Sequence, residues 1–214
     1  MQSDIINVRD HGAVGDGDTD DTGAFRAALA ALPGPGAVLQ IPRGHYRTDT
    51  LYVPDFVTLR GDSAFGYQEP GGTVLSPVRP YQPRLLDLNG RRGVRVQGLT
   101  LHGLDLGDDM TGIYSSRPEA REQHIVIDNC RVEHFSGAGV TLHESHVFSL
   151  RHSIFFMNRG GGVDAGTSFD GWMQDCMFTA NGRFGLYLGN SIVVNGCRIE
   201  HNQEGGLTVN RHYG

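Results

Sequence analysis

The tightest constraint on this chain is an internal repeat. Cys130, Ser153, Cys176 and Cys197 occupy equivalent places at spacings of 23, 23 and 21 residues. Asn158, Asn181 and Asn202 each follow the last three of these by five residues, and Val140, Val163, Leu186 and Leu207 repeat at the same 23, 23 and 21. Each of those apolar positions comes just after a Gly-rich corner: Gly137-Ala138-Gly139, Gly160-Gly161-Gly162, Phe184-Gly185 and Gly205-Gly206. A period of this length means one supersecondary unit per repeat, stacked on its neighbours to bury a shared core. Within a repeat the apolar spacing is two, as in Ile125/Ile127, Val140/Leu142, Leu186/Leu188 and Leu207/Val209, so the units are strands and not helices. The Leu-x-x-Leu-x-Leu frame of a leucine-rich repeat is absent. The remaining solution is an all-β parallel solenoid that advances about 4.8 Å per coil.

Stacking makes equivalent residues vertical neighbours. The Asn column is then expected to be an interior amide ladder that satisfies buried backbone groups at a turn. The Cys column is expected to hold buried thiols, since parallel side chains one rung apart fit disulfide geometry poorly. Upstream, Val57-Thr58-Leu59, Thr73-Val74-Leu75, Leu85-Leu86-Asp87-Leu88, Val94-Arg95-Val96 and Leu99-Thr100-Leu101 read as strands, and 61–72 and 104–124 as loops. The second loop is rich in charge (Asp105, Asp108, Asp109, Arg117, Glu119, Arg121, Glu122), and long loops on a solenoid tend to flank the binding face.

The first 50 residues differ from the rest. Ile5-Ile6-Asn7-Val8 is a strand; Phe25, Ala28, Leu29 and Leu32 define an amphipathic helix that Asp20, Asp21 and Thr22 would cap and Pro33-Gly34-Pro35-Gly36 would stop. Asp16, Asp18 and Asp20 are spaced like a calcium loop, but Asp21 stands where such a loop needs Gly and Ala27 where it needs Glu, so no calcium motif is read. The expected layout is one domain, with a strand and helix cap over 1–50 and coils over 51–214.

The run Asn7-Val8-Arg9-Asp10-His11-Gly12-Ala13-Val14-Gly15-Asp16-Gly17-Asp18-Thr19-Asp20-Asp21-Thr22, the helix, and then Gly36-Ala37-Val38-Leu39-Gln40-Ile41-Pro42-Arg43-Gly44-His45-Tyr46 resembles the opening of pectate-lyase-3 type right-handed parallel β-helix proteins, in the pectin-lyase-like superfamily. The resemblance implies that this segment caps the solenoid. It leaves the chemistry open among lyases, glycosidases, uronan epimerases and virus tailspikes.

Composition narrows the chemistry. All 18 basic residues are Arg, so Schiff-base or other lysine chemistry is unavailable. The net charge of −6 argues against nucleic acid or an anionic membrane as the main partner. No apolar run reaches membrane-span length, and Met1-Gln2-Ser3-Asp4 does not open a signal peptide.

Alternate side chains on a half-buried strand leave the core. With Ile113, Val140, Val163, Ala165, Leu186 and Leu188 inward, Tyr114, Thr141, His143, Asp164 and Tyr187 point outward. Tyr114, His143, Asp164 and Tyr187 are expected on consecutive rungs of one face, forming a shallow acid–base patch suited to a polymer. Asn210 joins them from the last coil, and Trp172 and Phe169, in the loop after Asp164, stack on a sugar or cover the core.

Gly139-Val140-Thr141-Leu142-His143-Glu144, with Ser149-Leu150-Arg151-His152-Ser153 and Asn181-Gly182-Arg183-Phe184-Gly185, is similar to the catalytic coils of mannuronan C5-epimerases. That similarity implies proton abstraction beside a uronate carboxylate, with His143 as the active-site His and Arg183 in substrate binding. The family's Tyr falls on Ala138, its Asp on Thr141, and its Lys has no counterpart. Tyr114 or Tyr187 would have to serve for the Tyr, and Arg159 and Arg183 would supply positive charge for an acidic polysaccharide.

A glycoside hydrolase needs two carboxylates about 5 or about 6.5–9.5 Å apart. Asp164 is the outward acid, and Asp175 is expected on another sheet. A zinc site at His143, Glu144 and His146 is unfavourable because the two His would leave opposite faces of a strand. No cofactor is called for. The third reading is a non-catalytic or glycan-binding coil of a spike or fibre, extracellular or virion-associated. Because the sequence stops at Tyr213-Gly214 with no polar cap, further chain or an oligomer is expected on the last coil.

Overall fold

The computed structural model describes residues 4–67, 69–116 and 122–210. The chain winds as a parallel solenoid whose strands form two sheets, one of 13 strands and one of eight. The narrow sheet stacks Asp16–Asp20, Gly44–Thr48, Thr73–Pro77, Leu99–His102, Arg131–Glu133, Ile154–Phe156, Met177–Thr179 and Arg198–Glu200 in that order. The wide sheet starts as two files. One stacks Ile5–Asn7, Val38–Ile41, Thr58–Gly61, Arg95–Gln97, Ile125–Asp128 and His146–Arg151; the other stacks Leu51–Tyr52, Arg84–Asp87, Thr111–Ser116 and Ala138–His143.

The two files merge at Gly161–Gln174, a single strand of 14 residues that pairs with both Ala138–His143 and His146–Arg151. Phe184–Asn195 repeats that long strand on the next rung. Between these two strands Ala165 faces Leu188 and Phe169 faces Asn190, so the three residues between on one rung stand opposite one on the next. The change of spacing from 23 to 21 residues is absorbed in that corner.

The predicted core column is present in register: Ile113–Val140–Val163–Leu186–Leu207. Leu39, Leu59, Val96, Ile127, Leu150 and Met173 fill the other file, and Tyr46, Leu75, Leu101, Val132, Phe155 and Phe178 the narrow sheet, all fully buried. The Asn ladder is also present. Asn158 Nδ2 donates to Asn181 Oδ1 (3.1 Å), Asn181 Nδ2 to Asn202 Oδ1 (2.9 Å), and each also donates to a carbonyl of the preceding strand. The Gly corners follow from the ladder: a Cβ on Gly162 would lie 2.4 Å from Gly185 O and 3.1 Å from Asn181 Nδ2. The three thiols are free, Cys130 and Cys176 buried and Cys197 half-buried. The Cys176 thiol is pushed up by its hydrogen bond to Cys197 and by burial.

The sequence expectations need correction at three places. Residues 104–124, read as a loop, contain the strand Thr111–Ser116; Arg117, Glu119 and Arg121 lie outside the described residues. Trp172 and Phe169 belong to the strand Gly161–Gln174, not to a loop. The helix is short, Thr22–Ala30, and the Asp21 carboxylate does not cap it. That carboxylate accepts instead from Val14 N (2.6 Å) and Gly15 N (3.1 Å), while Asp20 Oδ1 accepts from Thr22 N (3.0 Å). Phe25 and Ala28 are fully buried, and Leu29 and Leu32 partly so. Asp16, from the calcium-like run, closes its own turn by accepting from Asp18 N, Thr19 N and Thr19 Oγ1. Among the described residues no helix is long and apolar enough to cross a membrane.

Candidate functional site

The outward column beside the core column runs Tyr52–Asp87–Tyr114–Thr141–Asp164–Tyr187–Thr208. His143 does occupy the rung between Tyr114 and Asp164, as expected, but not their column: Thr141 pairs with both, and His143 stands two residues further along, in the next outward column, paired with Ser116. Strand alternation sets this: Thr141 and His143 lie on the same face, two residues apart.

Tyr114 and His143 still meet. Their ring centroids are 6.0 Å apart, and His143 is exposed. The Arg84 guanidinium also lies over the Tyr114 ring, 4.0 Å from its centroid. Arg84 is steered by Asp87, one of whose carboxylate oxygens is 3.4 Å from Arg84 Nη1 while the other accepts from Asn89 N (2.8 Å). The result is a guanidinium, a phenol and an imidazole in sequence along an open sheet, with the Thr141 side chain packed between rungs. Further on, Asp164 Oδ1 accepts from Gly166 N (3.1 Å). The Tyr187 ring lies on Gly166, where a Cβ would come within 2.3 Å of it, and leans on Phe184 with centroids 5.6 Å apart.

The remaining predicted residues divide. Asn210 is at the edge of this face, with Nδ2 donating to Gly166 O (2.7 Å). Arg159 and Arg183 sit at the Gly corners before the long strands. Arg159 is engaged by Asp105, Nη2 to its carbonyl at 2.5 Å and Nε to its carboxylate at 3.9 Å. Arg183 Nε reaches Glu204 Oε2 at 3.3 Å, with the guanidinium 5.7 Å from the Phe184 ring centroid. Trp172 is not in this patch. It belongs to the second half of its strand, in the other file, stacked between Ser149 and Val193.

Arg84 and Asp87 escape the sequence reading. From Asp87 to Tyr114, and from Tyr114 to Thr141, the step is 27 residues, outside the 21–23 rhythm, so their register with the patch is not readable from the repeat. Asp175, expected on another sheet, sits in the turn after Gly161–Gln174 with its carboxylate 4.0 Å from His152 Nε2.

Comparison with known proteins gives the class. Residues 88–213 match the right-handed β-helix region family, and residues 5–70 match the rhamnogalacturonase A/epimerase, pectate lyase-like family. The chain belongs to the right-handed β-helix family. Among individual proteins it is 26% identical over 197 residues to the mannuronan C5-epimerase AlgE6 of Azotobacter vinelandii, an alignment covering 85% of this chain and 22% of that protein. The A-module of the A. vinelandii mannuronan C-5 epimerase AlgE4 superposes with a TM-score of 0.69 at 22% identity, over 89% of this chain and 58% of the module. The enzymatically active domain of bacteriophage CBA120 tailspike protein 2 superposes with a TM-score of 0.70 at 12% identity, over 98% of this chain and 37% of that domain. The chain thus spans about a fifth of the AlgE6 relative and rather more than half of the AlgE4 module. The names of these proteins are those of mannuronan epimerases and of a phage tailspike.

Proposed function

We propose that this chain carries the polysaccharide-binding and proton-transfer face of a β-helix enzyme acting on an acidic polymer, as a uronan C5-epimerase or lyase. One observation carries the reading: Tyr114 and His143 lie side by side, 6.0 Å between ring centroids, on an open outward sheet, with the Arg84 guanidinium 4.0 Å from the Tyr114 ring centroid. Both reactions need a base for the proton beside a carboxylate and a cation to hold that carboxylate as negative charge builds. In this reading His143 and Tyr114 are the proton-transfer pair, and Arg84 takes the uronate carboxylate. Asp164, Thr141 and Tyr187 line the next subsite, Asn210 its edge, and Arg159 and Arg183 the rim of the same face. Epimerisation returns the proton to C5 from the other side; elimination expels the glycosidic oxygen instead. The helix Thr22–Ala30 is the cap of the first rung in this reading, and the protein works outside the cell or on a virion.

Glycoside hydrolysis by two carboxylates fits this face poorly. Asp164 and the nearest acid in its column, Asp87, are three rungs apart, about 14 Å at the interstrand spacing, well beyond the separation a hydrolase uses. The likeness to a tailspike domain supports a second reading, a glycan-binding spike segment without turnover. The two are separated by incubating the protein with polymannuronate and polygalacturonate in deuterated water. Absorbance from unsaturated ends reports a lyase, and deuterium at C5 without chain cleavage reports an epimerase. His143→Ala and Tyr114→Phe are each expected to lower the rate by at least about a hundredfold. Polymer binding without either signal in the wild type overturns the enzymatic reading.

A further inference from the structure

The other outward file of the wide sheet carries a second set of ligand-type residues that the acid–base patch does not use. Its strands present Thr58, Arg95, Val126, Ser149, Trp172 and Val193 in one column, on successive rungs. Trp172 is 49% exposed. Leaving so large an apolar ring in water on a flat sheet is unfavourable unless something stacks on it. Gln174, two residues along on the same face, is exposed, with no partner for its amide among the described residues.

At the other end of the column lies Arg95, exposed and without a carboxylate partner among the described residues, although the protein as a whole is acidic. Beside it, at the entry to the same strands, an open hollow of about 440 Å³ is lined by Phe56, Arg92, Gly93, Glu122 and His124. Phe56 is 43% exposed, and its ring occupies the space above Gly93, where a Cβ would come within 2.2 Å of it. From Arg95 to Trp172 is three rungs, about 14 Å, along the axis of the solenoid. Trp172 stands eight positions beyond Asp164 on the same strand, past the corner at 165–169, so this face is distinct from the Tyr114–His143 patch.

We infer that this face is a second, non-catalytic glycan-binding surface, which lays an anionic polysaccharide along the solenoid axis, with a sugar ring stacked on Trp172 and an acidic group held by Arg95. Aromatic stacking suits the apolar face of a pyranose, the free amide of Gln174 suits its hydroxyls, and an unpaired guanidinium suits a carboxylate or sulfate. Such a surface would keep the protein on its polymer while the acid–base patch works elsewhere. The inference does not depend on that patch being an active site.

The test uses a built-in probe, since Trp172 is the only tryptophan of the chain. Titration of the wild-type protein with polymannuronate, polygalacturonate and, as a neutral control, a β-glucan at low salt is followed by tryptophan fluorescence. A saturable change with either polyuronate, reversed by added salt and absent with the glucan, is the expected result. In gels containing the same polyuronate the wild type is retarded. Arg95→Gln and Trp172→Ala are each expected to bind about tenfold more weakly than the wild type. Unchanged fluorescence at polyuronate concentrations that retard the protein overturns the inference, because the polymer is then bound elsewhere. So does failure of any polyuronate to retard the wild type, an unchanged midpoint of the tryptophan titration in Arg95→Gln, or an equal response to the neutral glucan. Loss of turnover in His143→Ala with binding intact bears on the acid–base patch alone.

Discussion

Asn181→Ala is the sharpest test of how the coils are held together. Asn181 is fully buried. Its Oδ1 accepts from Asn158 N (3.0 Å) and Asn158 Nδ2 (3.1 Å), and its Nδ2 donates to Phe155 O (3.1 Å) and Asn202 Oδ1 (2.9 Å). Truncation removes the acceptor of the Asn158 backbone N–H, a buried donor then left unpaired at a cost of about 1–3 kcal/mol. The other three bonds weaken without orphaning both partners, because Asn158 Nδ2 keeps Val132 O and Asn202 Oδ1 keeps Asn181 N, adding about 0.5 kcal/mol each. The total is about 2.5–4.5 kcal/mol. Asn202→Ala removes equivalent bonds at a half-exposed rung, where water replaces them, and costs about 1 kcal/mol. For a chain of this size the difference amounts to several degrees in Tm. Thermal and urea unfolding, followed by far-UV dichroism and by the fluorescence of Trp172, read both variants. Equal losses for the two, or a loss below about 1 kcal/mol for Asn181→Ala, would refute the ladder as a buried, satisfied network.

Three further outcomes follow from the same packing. Arg131 and Glu133 form an ion pair fully buried on the narrow sheet (2.6 Å), and Arg131 Nη1 also donates to Gly66 O and Tyr67 O; Arg131→Met is therefore expected to destabilise by about 3–5 kcal/mol in urea titration and to expose the 62–72 loop to protease. Gly162→Ala pushes a methyl against Gly185 O and the ladder, and is expected to cost about 1–3 kcal/mol by thermal unfolding, whereas Gly23→Ala, which meets nothing within 4 Å, is expected to be harmless or mildly stabilising. Burial holds the His102 imidazole below its ordinary value, opposed in part by Glu133. The unfolded chain then takes up the proton first, so this group's contribution is intact above about pH 6.5 and is lost as pH falls below it; His102→Gln is expected to flatten that part of the urea midpoint–pH profile, and an unchanged slope would contradict it.

What was legible in the sequence was whatever repeats with a fixed rhythm. The Val140, Val163, Leu186 and Leu207 column and the Asn158, Asn181 and Asn202 ladder are regular because burial allows few residue types at those places, and both are found in register. The outward faces are less constrained, and there the reading slips. Alternation correctly turns Tyr114, Thr141, His143, Asp164 and Tyr187 outward, but it does not say which of two outward columns His143 joins. Nor does it show that a strand runs on through a corner, which is why Trp172 reads as a loop residue in the sequence. Corners elsewhere carry Asn129, His152 and Asp175 in the left-handed conformation, so no glycine marks them. Arg84 and Asp87 remain hidden because inserted chain stretches their steps to 27 residues.

The corner in which Ala165 to Phe169 faces Leu188 to Asn190 has a consequence for how such a molecule can change. Two residues are gained or lost there without shifting any partner in the flanking stretches of strand. The faces of the solenoid are thus insulated from one another by joints that swallow insertions. Selection can rewrite the side that carries Tyr114 and His143 while leaving untouched the side that carries Arg95 and Trp172, and one scaffold can be retuned for a new polymer one flank at a time.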